Sequence, residues 1–195
     1  NKIFGLDNNE TEAFNLAEEL KKHWIAYRVG DIRNKETIKD IFSDFKPQIV
    51  FHAAAYKHVS PMEKYPEEAV ETNILGTLNV LQEARKWECL EKFVFISTDK
   101  AVSSYSVMGA TKRVGEIIVK NAGYTVVRFG NVMGSRGSVI PIWQKQIYEG
   151  KPLTITDERM ERYMMTLEEA CELVIEACEI SKGGEIVVLD MGKRI

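Results

Sequence analysis

The residues best suited to chemistry concentrate in the stretch Ser97-Thr98-Asp99-Lys100-Ala101-Val102-Ser103-Ser104-Tyr105-Ser106-Val107-Met108-Gly109-Ala110-Thr111-Lys112. Asp99 and Lys100 place an acid and an amine side by side. Such a pair at one strand end can deliver a proton on one side of a cleft and accept one on the other. They follow the apolar run Phe93-Val94-Phe95-Ile96, which reads as a strand. Ligands of open α/β sheets bind outside the carboxyl ends of the strands, so chemistry is expected here. Lys112 lies four residues after Met108, on a helix predicted to start near Tyr105, and the two side chains therefore share a helical face. Taken alone, these residues also fit a strand end with solvated charges.

The elements that must hold this stretch alternate along the chain. Lys2 to Asp7 reads as a buried strand ending in an acid, and Ala13, Leu16, Ala17 and Leu20 follow at helical spacing. Trp24 to Val29 is a second strand, closed by the turn Gly30-Asp31-Ile32-Arg33. The next helix carries Ile38, Ile41, Phe42 and Phe45 on one face, and Pro47 stops it. A third strand, Gln48 to Ala55, ends in the small residues Ala53, Ala54 and Ala55, which let a flat group approach the backbone. The polar loop from Tyr56 to Pro61 leads to a long helix from about Pro66, with Ala69, Val70, Asn73, Ile74, Thr77, Leu78 and Leu81 at helical spacing. Proline suits a helix start, where its missing N–H would be unpaired anyway.

Beyond the central stretch, Tyr124 to Phe129 is another strand. It enters the loop Gly130 to Ser138, whose three glycines, one arginine and two serines could wrap an anionic ligand. A helix near Ile140 to Glu149, a short strand at Leu153 to Thr156, the segment Arg162 to Thr166, a helix around Cys171 and a final strand at Glu185 to Asp190 complete the chain. Alternating strands and helices predict a parallel sheet covered by helices on both faces.

Composition narrows the function. A chain of 195 residues, 45% hydrophobic and 28% charged, suits one globular domain with a sizeable core. A net charge of -3 leaves no footprint for nucleic acid or an acidic membrane surface. Cys89, Cys171 and Cys178 have no CxxC spacing. Cys171 and Cys178 fall on the stripe Leu167, Ala170, Cys171, Val174, Ile175, Cys178, so core packing is expected, in a reducing compartment. Three histidines, only His52 and His58 near each other, are too few for a metal site. No run is long and apolar enough to span a bilayer.

With these segments in hand the chain resembles the extended short-chain dehydrogenase/reductase superfamily, and within it the UDP-N-acetylglucosamine 4,6-dehydratases of polysaccharide biosynthesis. The resemblance rests on Gly30-Asp31-Ile32-Arg33, on Phe51-His52-Ala53-Ala54-Ala55-Tyr56-Lys57-His58-Val59, on Ser97 to Val102, on Val107 to Lys112, and on Arg128 to Val132 with Gly134 to Pro141. It implies a Rossmann-like doubly wound sheet, with residues 1–135 as the NAD(P)-binding domain and 136–195 as part of the substrate-binding region plus the last strand. Two departures stand out. No glycine-rich G-x-x-G-x-x-G precedes Lys2, so the first strand of the fold and its phosphate-binding helix start are expected to be missing, and the chain to be a piece of a longer protein. In the strand order 3-2-1-4-5 the absent strand would lie between Lys2–Asp7 and Ile49–Ala55. Met108 stands where the superfamily usually has the tyrosine of a Y-x-x-x-K pattern. A thioether cannot take a hydroxyl proton, which moves acid and base work to Asp99, Lys100 or a water. Larger members of the subfamily resemble this chain in that methionine.

The resemblance also implies site residues. Asp7 would hold the adenosine ribose hydroxyls, with Asp31 and Ile32 beside the adenine. Ala53, Ala54, Ala55, Asn73 and Ser97 would line the cofactor, and Lys112 would hold the nicotinamide ribose. Lys57, His58, Thr98, Asn131, Arg136, Ser138 and Arg162 would meet the UDP-sugar, with a surface ion pair to Glu158 or Glu161 as the plainer role for Arg162. Asp99 is the expected acid and Lys100 the expected base, both perturbed by burial. The cofactor is expected to be NAD, with NADP as the alternative, and the enzyme a homo-oligomer in the cytoplasm, free or as the cytoplasmic domain of a membrane-anchored parent. The rival readings are a nucleotide-sugar 4-epimerase and a non-catalytic dinucleotide-binding module.

Overall fold

Every strand pairing in the computed structural model is parallel, as the alternation of elements predicts. The structure describes residues 2–20, 25–135 and 137–194, so Trp24 and Arg136 lie outside the described residues. In chain order the first elements are β1 (Ile3–Asp7), α1 (Glu10–Leu20), β2 (Ile25–Val29), α2 (Lys35–Phe45) and β3 (Ile49–His52). After α3 (Val59–Lys64) and α4 (Pro66–Ala69), a π-helical segment Val70–Gly76 leads into α5 (Thr77–Ala84). Then come β4 (Lys92–Thr98), a 3-10 turn Asp99–Ala101, α6 (Val107–Asn121), β5 (Thr125–Phe129), β6 (Asn131–Val132), α7 (Val139–Tyr148), β7 (Met164–Met165), α8 (Leu167–Ile180) and β8 (Ile186–Val188).

The main sheet runs β3-β4-β5-β8, while β1 and β2 form a separate pair. β1 is not paired with β3, and each keeps an edge without a strand partner among the described residues, as the expected missing strand requires. The edge has a visible effect on burial. Ile3, Ile49 and Phe51 are about half exposed, where the sequence reads as buried strand. Helices join the two sheets instead: Ile32, Ile38 and Phe42 share a core with Val80, Leu81 and Ala84 of α5 and with Phe93 and Phe95 of β4. On the other face of β4 and β5, Val94 and Val127 pack against Ala170, Val174, Ala177 and Cys178 of α8. β4 is thus buried on both faces, which explains its unbroken apolar run.

Local chemistry sets the boundaries. Asn34 caps α2 by accepting from the N–H groups of Glu36 and Thr37, and Lys46, at φ 49°, turns the chain out before Pro47. Pro66 opens α4 as expected. Several predicted spans move. The third strand ends at His52, because its pairing with β4 ends there, and Ala53–Ala55 continue without a ladder. α6 starts at Val107 rather than near Tyr105, since Ser106 accepts the Gly109 N–H and caps it, while Glu63 of α3 accepts from Val107 N. Leu153 to Thr156 is not a strand: Thr154 is instead tied to Trp143 and Gln146 of α7. On α8 the buried face is Ala170, Val174, Ala177 and Cys178, leaving Leu167, Cys171 and Ile175 exposed.

Candidate active site

The carboxyl ends of β3, β4 and β5 open onto a cavity of about 440 Å³. One wall is the segment after β3, with Ala53, Ala55, Tyr56, Lys57 and His58; the floor is Ser97, Thr98 and Lys100 from the end of β4 with Met108 and Lys112 from α6. Asn131, Met133, Gly137 and Ser138 from the loop after β5, with Met164, close the far side.

β4 stops because Thr98 caps the following 3-10 turn, accepting from Lys100 N. That turn sets Asp99 and Lys100 against each other. Lys100 Nζ donates to Asp99 Oδ1 at 2.9 Å and to Asn131 Oδ1 at 3.0 Å, while Thr98 Oγ1 donates to the same Asp99 oxygen at 2.9 Å. The lysine faces the cavity and the aspartate stands behind it. The burial expected for this pair is not found, since the two side chains are 36% and 41% exposed. An open turn at a strand end has no second layer to cover them.

Lys112 is the buried cation of the site. Its Nζ donates to the Ile96 carbonyl and lies 4.0 Å from the centre of the Phe95 ring. Burial pushes its amine down to about 7, against the opposing pull of the Glu116 charge. His52, at the end of β3, is buried and pushed down to about 3, first by burial and then by Lys112. Thr77 Oγ1 gives its proton to Asn73 O, so the 2.8 Å bond between His52 Nε2 and that hydroxyl carries the imidazole's hydrogen. Met108 packs with Met62 and Ala69 and lines the cavity.

The remaining expected residues divide. Ala54 follows Ala53 outside the cavity lining, and Asp7 and Asp31 end β1 and β2, whose carboxyl termini are linked by the bond from Gly30 N to Asp7 O. Asp31 is held below its ordinary range by its hydrogen bonds with Arg33. Ile32 belongs to the core, its side chain lying where a Cβ on Gly76 would be. Asn73 does not reach the cavity: fully buried, it accepts from Tyr56 N and donates to Tyr56 O and Thr111 Oγ1, so it clamps the loop that carries Lys57 and His58 to α6. Arg162 is exposed and donates to the Glu161 carbonyl, and Arg136 lies outside the described residues.

The sequence reading missed Met133, Met164 and Gly137. Met164 reaches the cavity because β7 pairs with β6, a two-residue contact without a periodic signal. Gly137 had a signal, a glycine inside the polar loop. Its φ is +67°, and a Cβ there would lie 2.7 Å from His58 Cε1. Ser138 Oγ, in the cavity lining at the start of α7, is buried with no hydrogen-bond partner among the described residues, as are Thr72 Oγ1 and Trp87 Nε1 away from the cavity. Among the described residues no group of His, Cys, Asp and Glu could hold a metal ion.

The family model described as "Polysaccharide biosynthesis protein" matches residues 1–195. The chain is 45% identical over 206 residues to the capsular polysaccharide biosynthesis protein CapD of Staphylococcus aureus, covering 100% of this chain and 34% of that protein. It is 40% identical to a UDP-glucose 4-epimerase of Rickettsia rickettsii, over 96% of this chain and 56% of the relative. Among solved structures, Pen from Bacillus thuringiensis superposes on 100% of this chain and 62% of its own, with a TM-score of 0.93 and 43% identity. The chain therefore spans about a third of the length of CapD.

Proposed function

The chain belongs to the polysaccharide biosynthesis protein family, and from that membership and the geometry of the cleft we propose that the full-length protein is an NAD-dependent UDP-N-acetylglucosamine 4,6-dehydratase. The observation that carries the reading is the Thr98, Asp99, Lys100 and Asn131 cluster, which sets an amine at a cavity floored by Lys112 and holds its partner acid by a hydrogen bond behind it.

The residues present fit a dinucleotide with free ribose hydroxyls. Asp7 and Asp31 close β1 and β2 with acids, and the one arginine of that turn, Arg33, is held by Asp31, Glu68 and Glu71. A 2′-phosphate would meet acids and an arginine already paired. When bound, NAD would accept a hydride from C4 of the sugar and return it at C6. Lys112 would hold the nicotinamide ribose, and the small Ala53–Ala55 segment would let the cofactor lie close to the backbone. Ser138 Oγ and the N–H groups at the start of α7 would receive the anionic part of the substrate. Oxidation at C4 would release the hydroxyl proton to water. The 4-keto group would acidify C5, where Lys100 would take the proton, and Asp99 would protonate the hydroxyl that leaves C6 as water and regain its proton from solvent. Lys100 would return its proton to C5 as C6 is reduced. The partial exposure of both side chains means that the bound sugar and cofactor must themselves exclude water from them.

Exposed Val70, Leu75, Val114 and Ile117 on the adjoining π-helical segment and α6 support a homo-oligomer, checked by light scattering of the full-length protein. The cysteines at 89, 171 and 178, all unpaired, suit a reducing cytoplasm. Among the described residues no helix is long and apolar enough to cross a membrane. The Rickettsia relative favours one second reading, a 4-epimerase. Mass spectrometry of UDP-N-acetylglucosamine incubated with full-length protein and NAD separates them: loss of one water supports the dehydratase, and an unchanged mass with an altered C4 configuration replaces it by the epimerase.

A further inference from the structure

His58 stands at the N-cap of α3 with its backbone extended, yet its side chain makes no capping hydrogen bond and lines the cavity instead. The main chain that delivers it is held independently, since Asn73 accepts from Tyr56 N and donates to Tyr56 O two residues earlier. The ring meets a different partner. Its Cε1–Nε2 edge lies against Gly137 of the loop after β5, where a Cβ would stand 2.7 Å from Cε1 and 2.9 Å from Nε2. A carbon at that place would force the ring to move. Backbone conformation alone does not account for the glycine. Gly134, in the same loop at φ +71°, has nothing within 4 Å of its Cβ position, whereas Gly137 joins φ +67° to a place already taken by a side chain. Both Gly137 and His58 line the cavity, each from one of the two segments that border it.

We propose that Gly137 is a positioning residue: the side chain it lacks is the seat of the His58 imidazole, and the contact sets that ring to bind an oxygen of the sugar nucleotide. That the ligand is a sugar nucleotide rests on the reading above; the seat does not. The seat governs position more than folding. His58 is exposed and its backbone is held through Tyr56, so a methyl group at 137 would turn the ring aside and leave the surrounding elements in place. A binding group displaced by about 1 Å loses much of its effect on a bound substrate. The same contact joins the β3–α3 segment to the loop after β5, so the two borders of the cavity hold one another where the substrate must enter.

Two measurements test this, and the first needs no ligand. NMR of the chain carrying ¹³C-labelled histidine reads the rings of His23, His52 and His58, and His58→Gln assigns the last. The unaltered chain should show a nuclear Overhauser effect between His58 Hε1 and the Gly137 α-protons; its absence overturns the seat, whether or not any variant folds. Gly137→Ala should shift the His58 signal. Gly134→Ala, which carries the same backbone strain into open space, should shift it less, and equal shifts overturn the seat. The second measurement is made on full-length protein turning over UDP-N-acetylglucosamine. Gly137→Ala should raise KM about tenfold while kcat stays within about threefold, and Gly134→Ala should raise KM less. On a His58→Ala background, Gly137→Ala should add no more to KM than Gly134→Ala does, because the ring it would meet is gone. An effect of Gly137→Ala that persists undiminished without the ring overturns the proposal, as does a His58 signal that shifts while KM stays unchanged. If unaltered protein binds the sugar nucleotide without dehydrating it, the dehydratase reading fails by itself, and the same comparison made on Kd by calorimetry decides the role of Gly137.

Discussion

Asp99 and Lys100 share a hydrogen bond in the open cleft, and their roles separate only when one is removed. Asp99→Asn leaves the Lys100 amine and its Asn131 contact, so C4 oxidation and exchange of the C5 proton with solvent deuterium should continue while dehydration falls by about 10² or more. Lys100→Met should stop the exchange. Normal exchange in Lys100→Met, or normal dehydration in Asp99→Asn, would reassign the acid and base to His58, Tyr105 or a held water. Tyr105 is a poor substitute in this fold, since it lies outside α6 and is 97% exposed. Lys112 also carries a pH signature in stability. Its folded midpoint near 7 lies below the ordinary 10.5, so above about 7 the unfolded chain binds more protons. Stability should therefore rise with pH between about 7 and 10.5, and Lys112→Met should flatten that slope in urea titrations taken across the window. His52 acts in the same sense at lower pH: between about 3 and 6.5 the unfolded chain takes the proton that the folded one refuses, so acid should weaken the fold through this window.

At the scale of elements, the clamp between the β3–α3 loop and α6 is a single side chain. Asn73→Ala would take from Tyr56 N and Tyr56 O their bonds to the amide and from Thr111 Oγ1 the one it accepts, leaving that hydroxyl only its bond to the Met108 carbonyl, all at buried or half-buried positions. The expected loss is about 2 kcal/mol, read from the urea midpoint. Because Tyr56 adjoins Lys57 and His58, the same variant should raise KM for the sugar nucleotide more than a remote core variant of equal stability cost. The β1–β2 turn makes a different prediction. Arg33 is paired with Asp31 and Glu68 at 2.7 and 3.0 Å, so full-length protein should bind NAD more tightly than NADP in parallel titrations. Tighter NADP binding would mean that Arg33 leaves those partners.

For the whole molecule, the break between β1 and β3 is the feature with the widest consequence. Two strand edges with unpaired main-chain groups and half-exposed Ile3, Ile49 and Phe51 invite a further strand. Amide exchange on the chain should therefore be fast along the outer edges of β1 and β3 and slow at Val94, Phe95, Val126 and Val127, which have no exposed surface. Slow exchange along both outer edges would show that the two strands pair directly and would overturn the sheet order.

Parallel α/β architecture, the strand-end position of Asp99 and Lys100, and the shared face of Met108 and Lys112 followed from the sequence alone, because apolar periodicity and local spacing are properties of the chain itself. The polar loop from Gly130 to Ser138 was legible for the same reason. Tertiary structure decided what periodicity cannot carry. Asn73 and Thr77 look like ordinary helix positions, and only the packing of α6 against the π-helical segment turns Asn73 into a clamp. Ile32 follows an acid in a turn, and its burial depends on a glycine 44 positions later. Asp99 and Lys100 were expected to be buried because their work asks for it, yet burial depends on which elements cover a strand end, and no local pattern records that. Glu116 reads as one more helix acid until β4 and β5 bring Ser97 and Arg128 to it across the sheet.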